Sequence, residues 1–145
     1  MSLVVFTGIV GLYLAPGHIS LLKAVIAVVC IALGSGAAGA LNMWYERDVD
    51  ALMERTKNRP LPQGKIQPHH ALIFALVLAG GSVFLTVILI NTLSAFYLAS
   101  AILFYILVYT ITLKRRTPQN IVIGGAAGAL PPLIGWAAVM NETTL

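Results

Sequence analysis

Charge is what this sequence has least of. Asp, Glu, Lys and Arg make up 10% of its 145 residues, against about 25% in a soluble domain. Apolar residues take the space: 59% of the chain is hydrophobic and the mean hydropathy is +0.90, more than one soluble core can bury. Cysteine is almost missing. Cys30 stands alone, which excludes an intrachain disulfide and leaves the redox compartment unread. It lies in an apolar run, where a packed thiol is the default. No signal peptide is visible, because Met1-Ser2-Leu3 enters apolar sequence with no basic n-region and no small-residue cleavage site. The net charge is +4, but the basic residues flank apolar runs and form no stripe. They read as membrane-topology signals, and no nucleic-acid partner is expected.

A membrane-spanning helix needs roughly 20 apolar residues. Residues 21–44 supply one such run, with Lys23 near its end where the stem can snorkel. Residues 71–90, with His70 at the margin, supply a second, 93–113 a third and 121–140 a fourth. The stretch 3–15 is too short and predicts a partial first helix. The expected fold is all-α, a polytopic transmembrane bundle of that partial helix and about four full spans, forming a single domain over 1–145. Pro131-Pro132 inside the fourth run predicts a kink. Lys and Arg concentrate in 47–68 and in 114–116, whereas the turns at Pro16-Gly17-His18 and Asn91-Thr92 have none. Such alternation puts 47–68 and 114–118 on the cytoplasmic side and 141–145 outside. The expected location is therefore a bacterial-type cell (inner) membrane, crossed several times.

Gly34, Gly36 and Gly39 lie among alanines in the first full run, and Gly124, Gly125 and Gly128 in the last. Small residues let helices approach closely in lipid. Their missing side chains also leave room for a bulky ligand, and both readings stand at this level.

The chemistry-bearing stretch is Asn42-Met-Trp-Tyr-Glu46-Arg-Asp48-Val-Asp50, followed by Glu54-Arg55-Thr-Lys57-Asn-Arg59-Pro60. On a continuing helix, Asn42, Glu46 and Asp50 fall at i, i+4 and i+8 and form one polar stripe about 12 Å long. Neighbouring carboxylates repel, and oxygen ligands that repel one another attract a cation. Mg²⁺ takes few carboxylates and completes its shell with phosphates and water. Arg55, Lys57 and Arg59 follow at once, and guanidinium forks recognise phosphate. The pattern reads as a Mg²⁺–diphosphate site, with a solvated juxtamembrane loop of paired acids and bases as the plain alternative. Asp48 points away from the stripe and suits a salt bridge. His69 and His70 suit a helix-entry polar pair, Trp44 and Tyr45 an interfacial belt. Tyr105 and Tyr109, one turn apart, face a pocket or simply pack.

This run, with Arg55-Thr-Lys-Asn-Arg59-Pro, resembles the first Asp-rich motif of the UbiA-type intramembrane prenyltransferases. Lys114-Arg-Arg-Thr-Pro-Gln-Asn120 and Pro131-Pro132-Leu-Ile-Gly-Trp136 are similar to the haem-farnesylating branch of that family. The resemblance covers essentially the whole chain and matches the N-terminal half of the family. It implies farnesyl diphosphate as donor, haem b as acceptor through a vinyl group, Mg²⁺ as cofactor, and haem O as product. It gives Asn42, Glu46 and Asp50 the catalytic positions, with Glu46 and Asp50 on the metal. Asn42, Arg55, Lys57, Arg59 and Lys114 would bind diphosphate. Contact with a haem A synthase or a terminal-oxidase assembly is left open. Glu46 stands where the family usually has Asp, and a second Asp-rich motif and an upstream Arg are absent, so the chain alone is expected not to turn over. A UbiA-type enzyme with an aromatic or other acceptor, and a membrane fragment without turnover, are the rival readings.

Overall fold

The computed structural model describes residues 2–113 and 120–140, and every regular element among them is helical. α1 is Ser2–Leu14, α2 Leu21–Tyr45, α3 Arg47–Leu52, α4 Pro68–Leu89, α5 Thr92–Leu103 and α6 Asn120–Met140. A π-helical segment, Phe104–Leu113, continues α5. Leu21–Tyr45, Pro68–Leu89 and Thr92–Thr112 are long and apolar enough to cross a membrane. α6 has the length of a span at 21 residues, and α1, with 13, falls short of one. These bounds agree with the runs read from sequence to within three residues. α6 stays helical through Pro131 and Pro132.

Sequence punctuation sets the helix starts. Ser20 caps α2 by accepting from the Lys23 N–H at 3.4 Å. Pro68 opens α4, where its missing N–H costs nothing. Asn91 caps α5 by accepting from Ser94 N–H at 2.7 Å.

The packing is that of a protein in hydrocarbon. Only 17% of the apolar window of α4 is buried, and Phe74, Val77, Phe84 and Ile88 face outward. Lipid tails are as apolar as these side chains, so close backbone approach and polar contacts must hold the helices. Gly8 and Gly11 of α1 supply the first: a Cβ on Gly11 would collide with the Pro132 carbonyl, and one on Gly135 with the Gly8 carbonyl. Asn91 and Ser94 supply the second, donating to the Ala137 and Ile134 carbonyls at 2.8 and 3.3 Å. Ser82 and Thr86 return their hydroxyls to carbonyls of their own helix. A small core of Cys30, Ile31, Leu98, Ile102 and Ile134 completes the interior, with Cys30 a free, packed thiol.

These contacts also sort the ends. Asn91 reaches Ala137, and a Cβ on Gly17 would meet Val139, so the two turns without Lys or Arg meet the C-terminal end of α6. The segment 46–67 closes the other end.

The sequence predicts a regular helix over 93–113, and its second half departs from that. Phe, Tyr, Ile, Val and Thr dominate this stretch and are mediocre helix formers. Thr110 Oγ1 donates to the carbonyl of Tyr105, five residues back, at 3.0 Å, and the Tyr105 and Tyr109 rings stack at 5.2 Å and 30°. Both contacts favour the wider turn, and π segments recur at functional sites.

Candidate functional site

α2 ends at Tyr45, and Glu46 sits at φ −97°, ψ 9°. The helical register nevertheless crosses the break. The Glu46 N–H donates to the Asn42 carbonyl at 2.9 Å, and the Asp50 N–H to the Glu46 carbonyl at 2.8 Å. Asn42, Glu46 and Asp50 therefore share one face, as the i, i+4, i+8 spacing requires. They are 8%, 5% and 4% exposed, which separates them from solvated juxtamembrane charges.

A buried carboxylate needs a partner, and the following loop delivers one. Arg59 Nη1 lies 2.6 Å from Asp50 Oδ2. Thr56, itself buried, donates its hydroxyl to the Asp50 carbonyl at 2.9 Å, and the Arg59 N–H donates to the Thr56 carbonyl at 2.9 Å. Gly64, at φ 69°, takes the left-handed turn that brings the loop back. At the other end of the stripe, Asn42 Nδ2 donates to Thr110 Oγ1 at 3.2 Å. With the Thr110–Tyr105 bond, this ties α2 to the π segment. Among the described residues no buried side-chain nitrogen or oxygen lacks a hydrogen-bond partner.

Below the stripe lies a cavity of about 320 Å³. Ile31, Ser35, Ala38 and Gly39 line it from α2, at the three- and four-residue steps that continue the Asn42–Asp50 face. Leu98, Ile102 and Tyr105 face them, and Gly128, Pro131 and Ile134 close the third side. Tyr105 also lines the cavity, and its carbonyl accepts from the Thr110 hydroxyl that Asn42 contacts. The two readings of the small-residue patches divide by residue. A Cβ on Gly34 would press on Leu98 Cδ1 at 2.7 Å, whereas Gly39 and Gly128 have no atom within 4 Å of that position. Gly34 serves packing, and Gly39 and Gly128 leave space.

The remaining candidates lie elsewhere. Lys57 pairs with Glu54 at 2.7 Å on the surface, a contact of small energetic weight. Arg55 and Asp48 are exposed. Arg47 stacks 5.4 Å from the centre of the Trp44 ring and donates to the Trp44 carbonyl at 2.8 Å. His69 and His70 are exposed at the start of α4 with ring centroids 3.9 Å apart. Lys114 lies outside the described residues. Among the described residues no three His, Cys, Asp or Glu side chains converge, so Glu46 and Asp50 are a two-carboxylate set. Sequence reasoning missed Thr56 and Thr110. The available signal for Thr110 was a hydroxyl deep in an apolar run, which needs a partner in lipid.

The model of the UbiA prenyltransferase family matches residues 4–145. A protohaem IX farnesyltransferase of Rhizobium johnstonii is 61% identical over all 145 residues. Proteins of the same name from Rhizobium etli and Brucella anthropi are 60% and 59% identical, over 100% and 99% of this chain. The chain spans 46% of the length of each of these relatives. No solved structure matches.

Proposed function

The chain belongs to the UbiA prenyltransferase family, and on that premise we propose that it forms the donor side of a site that transfers a farnesyl group from farnesyl diphosphate to a vinyl group of haem b, with water supplying the hydroxyl of haem O. One observation carries the reading: the buried Asn42–Glu46–Asp50 face continues directly into a glycine-opened apolar cavity. An amphiphile with an anionic head and an isoprenoid tail matches that sequence of surfaces.

The donor set suits Mg²⁺, because two buried carboxylates leave most of the coordination shell to phosphate and water. Glu46 and Asp50 would hold the ion, which supplies charge neutralisation of the leaving diphosphate. Arg59 binds diphosphate oxygens, with Arg55, Lys57 and Lys114 adding positive potential around it. Asn42, fixed by Thr110, orients the head. The wall of Gly39, Ala38, Ile102 and Tyr105 keeps water from the allylic carbon as its bond to oxygen breaks. We also propose that segment 46–67 faces the cytoplasm of a bacterial inner membrane.

The test is a chimera in which these 145 residues replace the matching segment of the Rhizobium johnstonii relative. Membranes containing it, given farnesyl diphosphate, haem b and Mg²⁺, should form haem O, and Asp50→Asn should lower the rate by about 100-fold or more. A well-expressed, folded chimera that makes no haem O, or one indifferent to Asp50→Asn, would defeat the proposal.

A further inference from the structure

A cation that reaches Asp50 competes with Arg59 for the same carboxylate. Resting on the reading above that Glu46 and Asp50 receive metal and diphosphate, we propose that Arg59 is a surrogate cation. It neutralises Asp50 while no metal is bound, then passes to the diphosphate, so that metal and diphosphate bind cooperatively.

The geometry suits an exchange. The Asp50 side chain is 6% exposed and that of Arg59 is 34% exposed, with 2.6 Å between Nη1 and Oδ2. The carboxylate is thus inside and the cation at the mouth. A carboxylate so placed is destabilising without a counter-charge, and Arg59 stands in direct contact with it. The backbone of Arg59 is fixed while its side chain is not buried. Its N–H bonds to Thr56, and Thr56 is bonded to the Asp50 carbonyl. The guanidinium can therefore turn outward without moving the loop. Lys57 instead lies at the surface beside Glu54, at 2.7 Å.

Charge then sets the coupling. A divalent metal alone competes with Arg59 for the carboxylate and leaves two cationic groups facing each other. Diphosphate alone meets Arg59 already engaged and two carboxylates behind it. With both present, the metal takes Asp50, and the guanidinium fork takes phosphate oxygens, its best-matched partner. Each ligand raises the affinity for the other by the same factor.

The experiment uses the chimera described above in lipid nanodiscs, with Mn²⁺ replacing Mg²⁺ as a paramagnetic probe and inorganic pyrophosphate as the anion. Bound Mn²⁺ is read by electron paramagnetic resonance, with the signal of Mn²⁺–pyrophosphate in empty nanodiscs subtracted. Saturating pyrophosphate should tighten Mn²⁺ binding at least tenfold. In Arg59→Gln, Mn²⁺ alone should bind at least tenfold tighter than in the unsubstituted chimera, and pyrophosphate should improve it by less than about threefold. Arg59→Lys keeps the charge without the fork and should fall between the two, which also covers the case in which the glutamine variant does not fold. Unchanged or weaker Mn²⁺ binding in Arg59→Gln, or unchanged coupling, overturns the surrogate role. If Asp50→Asn abolishes binding while Arg59→Gln behaves as native, only the surrogate role falls. If Mn²⁺ and pyrophosphate together do not bind the unsubstituted chimera, the site reading falls with it.

Discussion

Alanine substitutions at six glycines should separate into three classes of stability, because the structure gives each glycine a different neighbour. A Cβ on Gly11 or Gly135 meets backbone, the Pro132 and Gly8 carbonyls. Backbone cannot rotate aside, so α1 and α6 must move apart by about 1 Å or more to restore ordinary contact. Overpacking of this kind costs about 1–3 kcal/mol. A Cβ on Gly8 or Gly34 meets the ends of Ile31 and Leu98, at 2.8 and 2.7 Å. Those side-chain tips can shift, so the cost should be small. Gly39 and Gly128 have open space, and there alanine should stabilise by up to about 1 kcal/mol through helix propensity. The gap between the outer classes is therefore roughly 1–4 kcal/mol, or at least about fivefold in the unfolding equilibrium. Titration with dodecyl sulfate in mixed micelles, followed by the fluorescence of Trp44 and Trp136, measures it. If Gly11→Ala and Gly39→Ala unfold at the same detergent fraction, the α1–α6 backbone approach described here is wrong.

Three further outcomes follow from single contacts. Gly39→Leu should fill the cavity and lower farnesyl transfer in the chimera at least tenfold without lowering its detergent midpoint, and a rate near native would show that the donor tail lies elsewhere. Thr110→Val removes the acceptor of Asn42 and the donor to Tyr105, so stability should fall by about 1 kcal/mol, the scale of polar contacts between helices in membranes; Thr110→Ser should restore it, and an unchanged midpoint in the valine variant would remove Thr110 from the account. Cysteines at Gln63 and Asn91 should react with an impermeant maleimide from opposite sides of the membrane, and same-side labelling would refute the assignment of the two ends.

The spans were legible because each is a run of apolar residues bounded by charge or by a cap, as at Lys23, Pro68 and Asn91. The Asn42–Glu46–Asp50 face was legible for a different reason. Its spacing needs only i→i−4 bonds, and these persist although α2 formally ends at Tyr45. The partner of Asp50 was not. Five basic residues lie between Arg47 and Lys65, and only the fold of the loop through Thr56 and Gly64 selects Arg59. The π segment was equally hidden, because its wider turn depends on Thr110 and on stacking of Tyr105 with Tyr109. Nor did the sequence divide the glycines into packing and cavity positions, since that depends on which helix arrives opposite each one.

α2 has 25 residues, about 37 Å at 1.5 Å per residue, while a hydrocarbon core is about 30 Å thick. The surplus amounts to more than one helical turn. With Lys23 held at one headgroup layer, Asn42 lies about 28 Å further along the axis, at the edge of the core, and Glu46 lies about 34 Å along, at headgroup depth. An amphiphilic donor lying in the leaflet would meet those residues with its anionic head at its own resting depth, and its tail could enter the cavity sideways from the acyl chains. Bilayer thickness then becomes a control variable. Longer acyl chains would submerge Asn42 and Glu46 or force the bilayer to thin around α2. The same chain would thus present the proposed donor face at a different depth in membranes of different thickness.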